Sequence, residues 1–122
     1  MRVWDVPVEL LCNRHLLGQH LEVHTMHSVI VNEKRGYANH PETMRWRNNL
    51  DELVLVHEQT AAEMTRRGMN HKSPMAGSVA NERISLGVVD PVSTQIHELS
   101  VKGCLCNIEA INAWYEGLGK RI

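Results

Sequence analysis

The chain of 122 residues contains no phenylalanine, and aromatic residues make up only 4% of it. A core without phenylalanine has to be built mostly from Leu, Val, Ile, Met and Ala. Cysteine is also scarce. Cys12, Cys104 and Cys106 are an odd number at irregular spacing, which argues against the disulfide framework of a small secreted domain. No apolar run approaches the roughly 20 residues of a membrane span. The N-terminus lacks the basic-then-apolar order of a secretion signal. The expectation is a cytoplasmic protein that does not enter a membrane. Excess positive charge is missing too: 13 Lys and Arg stand against 14 Asp and Glu, a formal net charge of -1. That balance counts against indiscriminate nucleic-acid binding, which needs basic surface.

What is present is ordinary in bulk and uneven in placement. The apolar share of 43% and charged share of 22% are those of a globular chain. The length suits one domain, 1–122, with a core that needs no covalent staples. Between Thr65 and Ala80 lie Arg66, Arg67 and Lys72 with no acid, and Lys34, Arg35, Arg45 and Arg47 cluster around Glu33 and Glu42. Eight histidines add charge below about pH 6.5.

Helical periodicity dominates. A first helix is expected from about Pro7 to Val29, with Pro7 in its first turn and Asp5 as cap. It carries two apolar strips, Leu10–Leu17–Leu21 and Leu16–Val23–Ile30. A second helix starts at Asn39-His40-Pro41-Glu42, where a cap precedes a proline and an acid. It runs through Trp46, Leu50, Leu53, His57, Ala61 and Met64 to Arg66-Arg67-Gly68. Asn70 to Val89 reads as a long loop, and Asp90-Pro91 opens a third helix that Gly103 ends. A short last helix covers Asn107 to Tyr115. The expected class is all-α, three main helices plus a short C-terminal one with long loops.

The first helix also carries chemistry. His15, Gln19 and Glu22 fall at i, i+4 and i+7, on one face. A carboxylate on a Leu-rich helix close to a free α-amino group suits Schiff-base chemistry, because an amine of pKa near ~8 is more often neutral than a lysine. Taken singly, Glu22 is a solvated helix acid and His15 a half-buried histidine. His57, inside an apolar strip, reads as a satisfied core residue. His20-Leu21-Glu22-Val23-His24 is not a zincin motif, since that requires the glutamate next to the first histidine and Glu22 lies roughly 200° around from His20. His20, His24 and His27 share a face that is solvated or binds a surface metal. Cys104-x-Cys106 is too tight for the usual zinc knuckle. For both, a metal site, or a redox role for the cysteines, stays the minor alternative to an ordinary surface.

Three stretches resemble the pyrimidine-dimer DNA glycosylase family, the endonuclease V type of phage T4. They are Arg14-His15-Leu16-Leu17 with Glu22, then Gly36-Tyr37-Ala38-Asn39-His40-Pro41-Glu42-Thr43-Met44-Arg45-Trp46, then Glu63 through Pro74. Trp114-Tyr115 with Gly119-Lys120 resembles the aromatic tail of the viral enzyme. The resemblance implies a T4 endonuclease V-like fold and a bifunctional glycosylase and AP lyase. It would act on double-stranded DNA with damaged or abasic sites, as a monomer, without metal or organic cofactor. The α-amine of Met1 would be the nucleophile and Glu22 the catalytic carboxylate. The DNA contacts would come from Arg2, Arg14, His15, Arg45, Arg47, Arg67, Lys72, Trp114, Tyr115 and Lys120. The chain departs from the viral pattern in three places. Leu21 stands where a basic residue precedes the glutamate, Gly117-Leu118 replaces further aromatics, and bulky Arg2 disfavours removal of Met1. Competing readings are a noncatalytic helical module that binds DNA or protein, and a metal-dependent hydrolase using the histidines.

Overall fold

The computed structural model describes residues 2–70, 73–83 and 88–119, the side chains of 118 and 119 aside. All regular structure in them is helical: α1 Asn13–Val31, α2 Pro41–Trp46, α3 Leu50–Arg66, α4 Val92–Val101 and α5 Ile108–Gly119, with a 3-10 turn at Val8–Leu10. The all-α expectation holds, but the first helix starts later, the second is broken in two, and the last runs on to Gly119 past the expected end at Tyr115.

The first helix begins six residues later than expected. Leu11 and Cys12 are extended, so Pro7 and the 3-10 turn lie outside α1 and Cys12 is its N-cap. Leu11 is driven into the core at 2% exposure, and the extended pair turns it there. Asp5 does not cap the helix, because its carboxylate is taken by Arg45 and Arg83. Only one of the two apolar strips is used. Leu16, Val23 and Met26 are buried, while Leu17 and Leu21 stay in solvent.

The expected second helix is two. Of the Asn39-His40 pair expected to cap α2, His40 does so, its Nδ1 accepting from Glu42 N at 3.1 Å. The chain then breaks at Arg47–Asn49, where Asn49 has φ -133 and its side chain donates to the Arg45 carbonyl at 3.0 Å. Asn competes for its own backbone in this way, and so favours helix ends. The break lets Trp46 and Leu53 enter the same core from separate axes. At its far end α3 closes as expected. Gly68 sits at φ +82, Met69 N donates to Met64 O and Gly68 N to Thr65 O, the paired bonds of a Schellman cap. Asp90 is likewise no cap: Pro91 holds that place for α4, and Asp90 pairs with Arg2. Asn107 caps α5 by accepting from Ala110 N at 3.1 Å.

Two apolar clusters make the core. Trp4, Val6, Leu11, Leu16 and Met64 meet Ile96, Leu99 and Ile111 of α4 and α5. Val3, Val23, Met26, Trp46, Leu53 and Val56 form the second. The N-terminal segment threads both, and among the described residues it has no strand partner for its backbone. Two buried glutamines supply the missing bonds: Gln19 Oε1 accepts from Trp4 N at 2.8 Å and Gln95 Oε1 accepts from Asp5 N at 2.8 Å. Gln19 Nε2 continues to Thr60, and Gln95 Nε2 to Asp5 Oδ2 and the Asp90 carbonyl.

An ion pair locks this arrangement. Arg45 grips Asp5 with both terminal nitrogens, at 3.1 and 2.5 Å, and its guanidinium lies over Trp46 at 4.5 Å. Burial opposes the Asp5 charge, but Arg45, Gln95 and Arg83 together outweigh it and hold the carboxyl below its ordinary value of 3.8. Beside it, burial pushes the Glu42 carboxyl up, against the pull of Arg45 and of the Trp46 indole N–H.

Two outcomes follow. Asp5→Asn leaves Arg45 with only Glu42, at 3.5 Å, as a counter-charge and should cost about 2–3 kcal/mol at pH 7 in urea unfolding. Since the folded-state pKa of Asp5 is depressed, its contribution is full above the unfolded value and is lost as pH falls through the folded one. The gap between wild type and variant should therefore close in acid. Glu42 has the opposite sign: a raised folded-state pKa makes its charge a cost above the unfolded value. Glu42→Gln keeps an acceptor for Trp46 and should leave stability at pH 7 unchanged or higher.

Candidate active site

The polar line on α1 has three distinct surroundings. Gln19 is 2% exposed and is committed to Trp4 N. Glu22, one turn further on, is half-buried. It lies beside Val23 and Met26, the residues against which Val3 packs. The segment that leads back toward the N-terminus thus runs along the helix face that carries Glu22. Met1 itself, with Lys72 and Lys120, lies outside the described residues.

His15, at the start of the line, faces sulfur. Its Nδ1 is 3.2 Å from Cys12 Sγ and 3.6 Å from Cys106 Sγ, and its ring meets Trp4 edge-on at 5.5 Å. Burial, then the cations Lys102 and Arg14, lower the pKa of its imidazole.

The arginines divide into those with internal duties and those facing solvent. Arg2 bridges Asp90 at 2.7 Å and Glu98 at 3.1 Å and stacks over Trp4, which ties the N-terminal segment to α4. Arg45, expected at a phosphate, has a side chain only 6% exposed and is paired with Asp5 and Glu42. Arg67 pairs with Glu63, donates to Asn13 Oδ1 and reaches the Val8 and Glu9 carbonyls, so it clips the 3-10 turn to α3. Trp114 and Tyr115 are half-buried against the first cluster. Arg14 and Arg47 are exposed.

Arg47 is part of a surface that site-by-site reading missed. It donates to the Ala38 carbonyl at 2.9 Å and, with Lys34 and Arg35, lines a shallow cleft of about 520 Å³. Lys34 also lines an adjoining cleft of about 450 Å³, between Thr25, Ser28 and Val29 of α1 and the loop residues Gly36 and Tyr37. Tyr37 is 63% exposed and holds φ 61, left-handed backbone that a bulky residue seldom adopts. The signal for this surface was the Lys34-Arg35-Gly36-Tyr37 run, a basic pair before a glycine and an aromatic in a polar loop. Val29, which helps line the second cleft, is seven residues from Glu22 on the same side of α1, about 10 Å along the axis.

His57 is 1% exposed, with Nδ1 at 2.9 Å from Glu58 Oε1 and Nε2 at 3.0 Å from the Ser73 carbonyl, a satisfied core histidine as read. His20 and His24 pack on it, while His27 turns to the Ala76 carbonyl. The histidine grouping is therefore 20, 24 and 57, not 20, 24 and 27. No helix among the described residues is long and apolar enough to cross a membrane.

Comparison with known proteins adds one finding. The profile of the family described as pyrimidine dimer DNA glycosylase matches residues 1–76, which span the N-terminal segment, α1, α2 and α3. No curated protein and no solved structure matches the chain. The matched part holds Glu22, the segment threaded beside it and the basic loop surface, and the chain belongs to the pyrimidine dimer DNA glycosylase family, with DNA as its substrate.

Proposed function

We propose that the protein excises damaged pyrimidines, cyclobutane dimers foremost, from duplex DNA and then cleaves the strand as an AP lyase. The α-amine of Met1 attacks C1′ of the damaged nucleotide and the base departs. The resulting iminium is resolved by β-elimination, in which a C2′ proton is removed and the bond to the 3′ phosphate breaks. Glu22 stabilises the iminium and moves the proton. The observation that carries this reading is the course of the N-terminal segment. Val3 shares a buried cluster with Val23 and Met26, and Trp4 N is bonded to Gln19, so residues 3 and 4 are held on the side of α1 that carries Glu22.

Reaching C1′ in a duplex requires the nucleotide to leave the stack. The exposed loop around Tyr37, flanked by Lys34, Arg35 and Arg47, supplies an aromatic face and three cations for that task. With a formal net charge of -1, the protein depends on this local concentration rather than on bulk charge. Arg14 adds a cation at the start of α1.

Borohydride trapping with a duplex carrying one abasic site, in EDTA and with a native N-terminus, should give a covalent adduct. Acetylating the α-amine should abolish the adduct, and Glu22→Gln should slow strand cleavage by roughly 10²–10⁴-fold. Folded protein with a free amine and no adduct would sink the lyase reading and leave a DNA-binding module. In a second measurement, Arg35→Ala and Arg47→Ala should each weaken duplex binding across sequences and lower the slope of log K against log salt by about 1. An unchanged slope would move the DNA path elsewhere.

A further inference from the structure

Cys12, His15, Cys104 and Cys106 converge at the point where α1 meets the linker between α4 and α5, and their ligand atoms all lie within 4.8 Å of one another. We propose that they form a structural zinc site with three thiolate ligands and one imidazole. The inference stands apart from the glycosylase reading: Cys104 and Cys106 lie beyond residue 76, where the family match ends.

Three observations carry it. The first is geometry. A tetrahedral zinc with Zn–S near 2.3 Å and Zn–N near 2.0 Å has edges of about 3.8 Å between sulfurs and about 3.5 Å from sulfur to nitrogen. His15 Nδ1 stands 3.2 Å from Cys12 Sγ and 3.6 Å from Cys106 Sγ, close to those edges before any ion is bound. The second is the local backbone. Cys12 is the N-cap of α1 and His15 lies one turn on, so a Cys-x-x-His pair points to one side of a helix start, where the dipole favours thiolate. Gly103, at φ +65, turns the chain after α4 and presents Cys104 and Cys106 to that start. The third is support around the ligands. Cys12 N donates to Cys106 Sγ at 3.1 Å, the kind of bond that stabilises a metal-bound thiolate, and Trp4 fixes the His15 ring from its edge.

Binding releases the three thiol protons to solvent, so the centre of one Zn²⁺ and three thiolates carries a single negative charge. Arg14 and Lys102, the cations whose fields reach His15, offset it. All three thiols are free. The second cluster, His20, His24 and His57, does not qualify. Nε2 of His24 and of His57 both engage the Ser73 carbonyl, and Nδ1 of His57 is held by Glu58.

The consequence is a clamp between the ends of the chain. Residues 12 and 106 are joined through the metal, which pins α4 and α5 to the helix that carries Glu22.

The test uses the full chain purified under reducing conditions without chelator. Elemental analysis should find one zinc per chain. Titrating wild type with an organomercurial should release that zinc as the three cysteines react, a readout that needs no variant to fold. Replacement by Co²⁺ should give intense thiolate-to-cobalt charge-transfer bands, and removal of metal should lower Tm by at least roughly 5 °C. Cys106→Ser should lose the metal, whereas a His20→Ala, His24→Ala double variant should keep it. Folded, reduced protein that takes up neither Zn²⁺ nor Co²⁺ would overturn the proposal. So would metal that survives mercurial treatment, metal that leaves with His20 and His24, or a disulfide among the three cysteines in the protein as purified.

Discussion

Everything in this fold depends on how the first few residues are held. Residues 2–6 run without regular structure through the middle of a helical protein, where no strand among the described residues satisfies their backbone. Buried Gln19 and Gln95 take the amide protons of Trp4 and Asp5, and Arg45 takes the Asp5 carboxylate. Each of these partners comes from a different helix. The N-terminal segment is therefore the element on which α1, α2 and α4 are registered, rather than a tail laid on a finished core. A buried polar network of this sort must be fully satisfied or it costs more than an apolar core. Among the described residues, no buried side-chain nitrogen or oxygen lacks a partner.

In the mechanism proposed above, the same constraint serves the chemistry. An α-amine is a usable nucleophile only if its chain end is fixed, because a free terminus spends its time elsewhere and loses the advantage of orientation. Here the anchors on Arg2, Val3, Trp4 and Asp5 are all made by groups unlike a substrate: carboxylates, apolar side chains and amides. In that proposal the cations that meet phosphate are Lys34 and Arg35 on the loop after α1 and Arg47 at the end of α2. Charge is thus partitioned by burial. Arg45 and Arg67 hold protein, while Lys34, Arg35 and Arg47 face a cleft.

Much of this was legible before any coordinates. The His40 cap, the Gly68 terminus of α3, the interrupted end of α4 at Gly103 and the His15–Gln19–Glu22 face are local events, decided within a turn or two of chain. The misreadings were equally physical. Pro7 and Asp5 look like a helix start, but the pull of Leu11 into the core and of Asp5 toward Arg45 is tertiary, and no periodicity encodes it. The single long helix from Pro41 fails because Asn49 bonds the Arg45 carbonyl and lets two axes form. Arg45 and Arg67 carry the same charge in the sequence as Arg47. Only burial separates their roles.

The chain by itself determined the helical class, the placement of a carboxylate on one face of the first long helix, and membership of a glycosylase family, because periodicity, capping and short motifs are properties of neighbouring residues. Tertiary structure alone decided which arginines are buried in ion pairs and which stay exposed, and that two glutamines bond the backbone of the N-terminal segment. It also decided that Cys12 and His15 meet Cys104 and Cys106 across some ninety residues. Those outcomes depend on distances between segments far apart in the chain, and such distances are settled only when apolar burial closes the core around them.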